Sequence, residues 1–303
     1  MLGKSLTIIG GSGGMGKVFG EFFKRYGFKI TLHARNLKKL ENVAHEFDVN
    51  YESSLEESVK DADIILVSIP ITSTVSMIQK IAPLLKKNAL LIDITSIKNT
   101  VVNTMKKIIK TFPINCLSLH PMFGPGIKDM KNYVMIVLKV GGTEKYDNLV
   151  DELITLFELN GLIITETTPE IHDRRIALTL GVPHMLNILF LNLIRRSKEP
   201  LSELTKYTGT TFLLQKVFAE SIIQREREMF GEIQIENQEF HKVLNLLESL
   251  IKEYKAIIQK KSIPKFNEIF NEALEYSKED NDFKDSYSYF YDFMEILKKE
   301  KEV

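Results

Sequence analysis

Three short segments of this 303-residue chain carry groups that could do chemistry together. The first, Gly11-Ser12-Gly13-Gly14-Met15-Gly16, fits G-x-G-x-x-G. It follows the strand-like run Leu6-Thr7-Ile8-Ile9 at once. Met15, Val18, Phe19, Phe22 and Phe23 then recur at helical spacing, and Gly27 is placed to stop that helix. Between a strand and a helix, the first glycine permits a tight turn and the second lets a pyrophosphate approach the backbone. The third lets helix and strand pack closely, with phosphate on the positive helix end. Gly11, Ser12, Gly13, Gly14, Met15 and Gly16 are therefore candidate dinucleotide-binding residues. The second segment is Asp93-Ile94-Thr95-Ser96-Ile97-Lys98, and the third is His120-Pro121-Met122-Phe123-Gly124-Pro125, directly after the apolar run from Cys116 to Leu119. An imidazole leaving a buried strand beside proline and glycine is fixed in place and close to solvent. Neutral near pH 7, it can accept a hydroxyl proton. His33, His45 and His241 occupy no comparable position.

The second strand, Lys29-Ile30-Thr31-Leu32, selects the dinucleotide. An NAD site usually has Asp or Glu about 20 residues after the glycines, bonded to the ribose hydroxyls. Here His33-Ala34-Arg35-Asn36 contains no acid, and the planar fork of Arg35 suits a 2′-phosphate. NADP is expected over NAD. Ser68 and Pro70, closing the run that begins at Ile64, complete the candidate cofactor residues.

The elements that position these groups alternate short apolar runs with amphipathic stretches, the βαβ pattern of a parallel sheet. Further strand-like runs are Ile64–Ile69, Ala89–Ile94, Cys116–Leu119, Tyr133–Leu138 and Leu162–Ile164, and Leu37–Phe47 has helix-forming composition. The expected fold is α/β: a Rossmann-type, doubly wound parallel sheet over residues 1–167. An all-helical substrate and dimerisation domain is expected over 168–303. Thr168, Pro169 and Glu170 supply an N-cap, first helical residue and first-turn acid. Val243, Leu244, Leu246, Leu247, Leu250, Ile251 and Tyr254 form a wide apolar stripe on a later helix, and the tail Lys298–Glu302 reads as solvated.

Forty basic residues balance forty acidic ones, and the hydrophobic fraction is 44%. Neutrality argues against a chain that coats nucleic acid or an anionic membrane. No window reaches the ~18 unbroken apolar residues of a membrane span, and the start from Met1 to Lys4 lacks a leader pattern. The single Cys116 excludes an internal disulfide and a multi-cysteine metal site, and no metal is expected. The expectation is a cytoplasmic protein.

The three segments, in this order, resemble the prephenate/arogenate dehydrogenase family of tyrosine biosynthesis. Thr168-Pro169-Glu170-Ile171-His172-Asp173, Val182-Pro183-His184 and the segment Met229–Asn237 are similar to parts of that family's helical domain. The likeness runs from about residue 5 to about residue 240. It implies NAD(P)-dependent oxidative decarboxylation of prephenate to 4-hydroxyphenylpyruvate, or of arogenate to tyrosine, by a homodimer. His120 would accept the hydrogen bond from the C4 hydroxyl and assist its deprotonation. Ser96 would bond that hydroxyl or His120, and His184 would contact the substrate. His172, beside Asp173, is a weaker candidate that could serve only local pairing. The family presents an arginine to a substrate carboxylate, but Lys206–Thr211 holds none. Lys206, the substrate-binding candidate, and Lys216 are near in sequence. Arg174, Arg175, Arg225 and Arg227 lie elsewhere on helices, and the choice among these cations stays open. Prephenate and arogenate are not distinguished. Two alternatives share the front end: another NADP oxidoreductase, of deazaflavin, imine-reducing or β-hydroxyacid dehydrogenase type, and a non-catalytic dinucleotide sensor.

Overall fold

The computed structural model describes residues 3–299. Met1 and Leu2 at the start, and Glu300, Lys301 and Glu302 of the tail, lie outside the described residues. The strands are β1 (Ser5–Ile9), β2 (Lys29–His33), β3 (Asn50–Tyr51), β4 (Ile64–Val67), β5 (Leu90–Asp93), β6 (Asn115–Pro121), β7 (Val134–Gly141) and β8 (Ile163–Glu166). The helices between them are α1 (Gly14–Arg25), α2 (Leu37–Phe47), α3 (Leu55–Val59), α4 (Ile71–Ile81), α5 (Asn99–Ile108) and α6 (Tyr146–Leu159). After β8 come α7 (Pro169–Ile176), a π-helical turn (Ala177–Gly181), α8 (Val182–Ser197), α9 (Leu201–Leu204), α10 (Thr210–Ile223), α11 (Arg227–Ile235), α12 (Gln238–Gln259), α13 (Ile263–Ser277) and α14 (Ser286–Lys299).

The chain divides into two compact units, Met1–Ala177 with Glu228–Asn237, and Leu178–Arg227 with Gln238–Val303. The last strand, β8, ends at Glu166, and α7 begins at Pro169. The first unit nevertheless keeps α7 and takes back most of α11, because their polar groups are bonded into it, as shown below.

Eight strands in the order β3-β2-β1-β4-β5-β6-β7-β8 form the sheet of the first unit. It is doubly wound, with the order of strand addition reversing between β1 and β4. It is parallel except for the antiparallel pairing of β6 with β7, which short-range pattern does not reveal. Alternation along each strand separates two apolar layers. Leu6, Ile8, Leu66 and Ile92 pack on one face with Phe19 and Phe23 of α1, while Ile9, Ile65, Val67 and Leu91 face Ile78, Val101 and Met105. Burial on both faces explains the unbroken apolar runs, and each large side chain so buried contributes about 1.5–3 kcal/mol. Register aligns Ile9 with His33 and Val67, Val67 with Asp93, and Asp93 with Ser118. The residues that follow these positions emerge on one carboxyl edge, where ligands of such sheets bind.

In the second unit the described elements are helical. The apolar stripe lies on α12, but Leu246, Leu250, Ile251 and Tyr254 point outward and are exposed. The helical run Pro169–Ser197 contains an 18-residue window of mean hydropathy 1.6, so it meets the length and composition of a membrane span although it has no unbroken apolar stretch of that length.

Candidate active site

The glycine loop fits a pyrophosphate. Gly10 takes φ +85°, and a Cβ there would lie 2.0 Å from the Ser68 carbonyl oxygen. The tight turn therefore falls at Gly10, one residue before the position the motif suggests. Gly10 and Gly11 amides donate to the His33 carbonyl. A Cβ at Gly11 would meet Leu32 at 2.8 Å, and one at Gly16 would meet the Gly10 carbonyl oxygen at 2.4 Å, so close helix–strand packing requires both glycines. Gly13 caps α1 without a side-chain hydrogen bond, and the first turn carries no acid. Its positive end and free amides are open to an anion. Ser12 is buried, and Pro125 of the His120 loop leans on Gly14, where a Cβ would touch its ring at 2.9 Å. Ser68 and Pro70 lie in the turn between β4 and α4. Arg35 is exposed at the exit of β2, and Asn36 beside it caps α2 by accepting the Lys39 amide.

His120, next to last in β6, is almost wholly buried, and its Nδ1 lies 2.9 Å from Nε2 of His172. His172 Nδ1 lies 2.7 Å from Asp173 Oδ1. Asp173 in turn accepts the amides of Lys98 and Asn99 at 2.8 and 2.9 Å, and the Asn99 side-chain amide at 2.8 Å. This network settles the tautomers. An ionised carboxylate only accepts, so His172 carries its proton on Nδ1 and offers a lone pair at Nε2. His120 must donate Nδ1–H to that lone pair, which leaves His120 Nε2 unprotonated. Among the described residues no protein group bonds Nε2. The result is a base held in one tautomer and one orientation, the arrangement that acid–base chemistry on a hydroxyl requires.

Beneath it, Lys98 is wholly buried and pairs with Asp93 at 2.8 Å. Its Nζ also donates to the carbonyl of Leu119, the residue before His120, at 2.6 Å. Thr95 donates its amide and hydroxyl to the same Asp93 oxygen. The loop carrying Ser96 is thus pinned at Asp93 and at Lys98, and Ser96 itself sits half-buried in the bend between them. His120 Nδ1 is bonded to His172, so that nitrogen is not open to Ser96. The segment Asp93–Lys98 stands out in the sequence, but the roles of Asp93 and Lys98 do not, and His172 ranks there as a weaker candidate. The usable signal was an acid and a lysine five apart in an otherwise apolar setting, which pair when buried.

Burial holds the His120 pKa well below the usual histidine value, and the His172 ring and the Lys98 charge add to the effect. Burial also lowers His172, against the pull of Asp173. Burial opposes the Asp173 charge, but hydrogen bonds from His172 and the Asn99 and Lys98 amides outweigh it and keep its pKa low. In the second unit His184 is pushed down to about 4, by burial first and by the Arg225 charge second. These three imidazoles are neutral when folded, whereas unfolded they titrate near 6.5. The unfolded chain therefore binds more protons in acid. Stability should fall as pH drops through about 6.5 and continue falling to the folded-state pKa values, for His184 about 4. Thermal melts should show a Tm several degrees lower at about pH 5 than at about pH 7.5. An unchanged Tm would contradict this protonation scheme.

Lys206 is exposed, and its ammonium contacts both Glu203 carboxylate oxygens at 2.9 Å. A substrate carboxylate must displace Glu203 to use it. His184 lies on α8, which packs against α10 through the Gln215–Asn187 hydrogen bond of 2.8 Å.

A doubly wound sheet with an open helix N-terminus behind a glycine loop, and a fixed imidazole at a neighbouring strand exit, defines a nucleotide-binding domain of the oxidoreductase type. Comparison with known proteins sharpens this. Residues 19–136 match the prephenate dehydrogenase nucleotide-binding domain, and residues 168–272 match the prephenate dehydrogenase dimerization domain. The chain belongs to the prephenate dehydrogenase family. A probable arogenate/prephenate dehydrogenase of Methanocaldococcus jannaschii is 27% identical over 90% of this chain and 60% of its own length. The T-protein of Haemophilus influenzae is 25% identical over 80% of this chain and 59% of its own. The chain thus spans about 60% of the length of these relatives. The fold is also that of the A. aeolicus prephenate dehydrogenase crystallised with hydroxyphenyl propionate and NAD+. The TM-score is 0.73 at 18% identity, covering 92% of this chain and 99% of that one. For a Synechocystis arogenate dehydrogenase the TM-score is 0.68 at 17% identity, covering 91% and 99%.

Proposed function

We propose that this chain is a cytoplasmic NAD(P)-dependent dehydrogenase that oxidatively decarboxylates prephenate to 4-hydroxyphenylpyruvate, or arogenate to tyrosine. The observation that carries this reading is the chain of hydrogen bonds from Asp173 through His172 to His120, which ends in an unprotonated Nε2. Bound along the glycine loop, NAD(P)+ supplies the hydride acceptor. A carbinol hydroxyl becomes strongly acidic as its carbon is oxidised, so an imidazole of low basicity still takes its proton. His120 Nε2 accepts that proton, and the imidazolium is stabilised through His172 by the Asp173 carboxylate. Ser96 orients the hydroxyl. Loss of the ring carboxylate as carbon dioxide and aromatisation drive the reaction, which leaves orientation as the protein's main task. In the helical unit, His184, which feels the Arg225 charge, and Lys206 are the candidate substrate-binding residues. The exposed apolar face of α12 is covered by a second copy of the chain.

The functional test is a spectrophotometric assay of prephenate and arogenate, each with NAD and with NADP. Reduced nicotinamide is expected from at least one pairing, and none from all four would move the assignment to another oxidoreductase.

We further infer a preference for NADP, supported by the absence of an acid after β2 and by Arg35 beside the positive end of α2. Replacing a guanidinium–phosphate pair by a carboxylate removes a charged hydrogen bond of about 1.5–3 kcal/mol. Arg35→Asp should therefore change the ratio of NADP to NAD affinities by roughly ten- to hundredfold toward NAD. Equal NADP affinity in wild type and variant would make Arg35 a bystander.

A further inference from the structure

Of the helices that begin on the carboxyl edge of the sheet, α2 and α3 are capped by the side chains of Asn36 and Ser54, whereas the N-termini of α1, α4 and α5 are treated in other ways. That of α1 is open. That of α5 is filled by Asp173, whose carboxylate takes the Lys98 and Asn99 amides. That of α4 is filled by Glu232 of α11, a residue 161 positions later in the chain. One Glu232 oxygen accepts the Ile71 amide at 2.8 Å, and the other accepts the Thr72 hydroxyl at 2.6 Å. Pro70, the N-cap of α4, has no side chain able to do this. The cap is therefore supplied from a distant helix.

The place it grips is the turn after β4. Ser68 there lies against Gly10, since a Cβ on Gly10 would fall 2.0 Å from the Ser68 carbonyl oxygen. The turn that Glu232 holds thus forms one wall of the glycine loop. On its own side, α11 is anchored by buried Phe230 and Ile233. Just after it, buried Asn237 donates its side-chain amide to the Asp173 carbonyl at 2.8 Å. Asp173 is the residue that fixes the His172 tautomer. One short segment therefore bonds both to the turn beside the glycine loop and to the helix that aligns the base.

We propose that Glu232 is a positioning residue for the dinucleotide. By capping α4 it holds the Ser68–Pro70 turn in the shape that receives the cofactor. By occupying that N-terminus with a carboxylate, it leaves α1 as the one open positive helix end of these three for the pyrophosphate. The proposal rests on the reading of Gly11–Gly16 as a dinucleotide site.

The test is a fluorescence titration of the full chain with NADPH and NADH, alongside steady-state kinetics. Glu232→Ala should weaken binding of the preferred nucleotide about tenfold and raise its KM to match, with kcat at saturation falling less than twofold. Glu232→Gln should recover most of the affinity, because its carbonyl oxygen still accepts the Ile71 amide. Thr72→Val, which removes one of the two bonds at an exposed position, should weaken binding about threefold, and it carries the test if Glu232→Ala does not fold. Affinity within twofold of wild type in a folded Glu232→Ala chain, or in Thr72→Val if that chain does not fold, would overturn the proposal. So would an equal loss of kcat and affinity that Gln does not rescue, since that is the mark of general damage. If wild type binds neither nucleotide, the dinucleotide reading itself fails, an outcome distinct from these.

Discussion

Replacing His120 by asparagine should reduce kcat by about 10²–10⁴, the usual contribution of a positioned general base. Dinucleotide binding and the fold should be retained. Asparagine is close in size to imidazole, and its side-chain amide can still donate toward His172 Nε2, so the buried acceptor keeps a partner. It has no lone pair able to take a proton near neutral pH. Kinetics with saturating substrate and cofactor, set beside a nucleotide titration, separate the two effects. Turnover equal to wild type would remove His120 from the chemistry. Loss of nucleotide affinity together with turnover would point to damage at the Gly14–Pro125 contact instead.

The second large effect is expected at Asp173, which touches no reacting atom and acts through two imidazoles. Its carboxylate accepts on both oxygens: Oδ1 from Lys98 and His172, Oδ2 from Asn99. Asp173→Asn puts an NH₂ group on one side. If it faces His172, it donates to Nδ1 and moves the His172 proton to Nε2. His120 Nδ1 must then accept, its own proton shifts to Nε2, and the base is lost. A kcat reduction of roughly 10²–10⁴ follows, with KM values little changed, as expected for the wrong tautomer of a catalytic imidazole. In either orientation the NH₂ also opposes a backbone N–H, of Lys98 or of Asn99, and an unmet donor costs about 1–3 kcal/mol. The Tm should therefore fall by a few degrees as well. Assay temperatures well below the melt keep the two consequences apart. A variant with lowered Tm and unchanged kcat would reduce Asp173 to a cap for α5.

Much of this arrangement is legible in the sequence because it is local. The G-x-G-x-x-G segment between strand and helix, the strand runs burying both faces, and the Thr168 cap ahead of Pro169 depend on neighbours a few residues apart. The structure has the Thr168 hydroxyl oxygen accepting the Ile171 amide, and α2 spans Leu37–Phe47 as its composition suggests. What sequence pattern does not carry is long-range pairing of polar groups. His120 and His172 are 52 residues apart, and nothing in the short-range pattern of either segment announces the other. Lys98 has the composition of a surface residue and is buried because Asp93 and the Leu119 carbonyl satisfy it. The return of α11 to the first unit depends on Glu232 and Asn237, each bonded more than 60 residues away. The positive φ at Gly10 rather than Gly11 follows from the approach of Ser68, a tertiary contact invisible to the motif.

Charge behaves likewise. The balanced total of forty against forty excludes a polyanion-coating chain but says nothing about placement. In the structure the open end of α1 and the exposed Arg35 supply positive character where a phosphorylated ligand is proposed. The carboxylates of Asp173 and Glu232 occupy the N-terminal ends of α5 and α4.

The central claim is that His120 stands with a proton on Nδ1 and an unprotonated Nε2, set in that state by Asp173 through His172. Long-range proton–nitrogen NMR spectra of the histidine side chains, assigned by His120→Asn and His172→Gln variants, read this directly. Near neutral pH, protonated Nδ1 and bare Nε2 are expected for both rings, with no conversion of His120 to imidazolium until well below its ordinary pKa. A His120 ring carrying its proton on Nε2, or already doubly protonated near pH 6.5, would contradict the account.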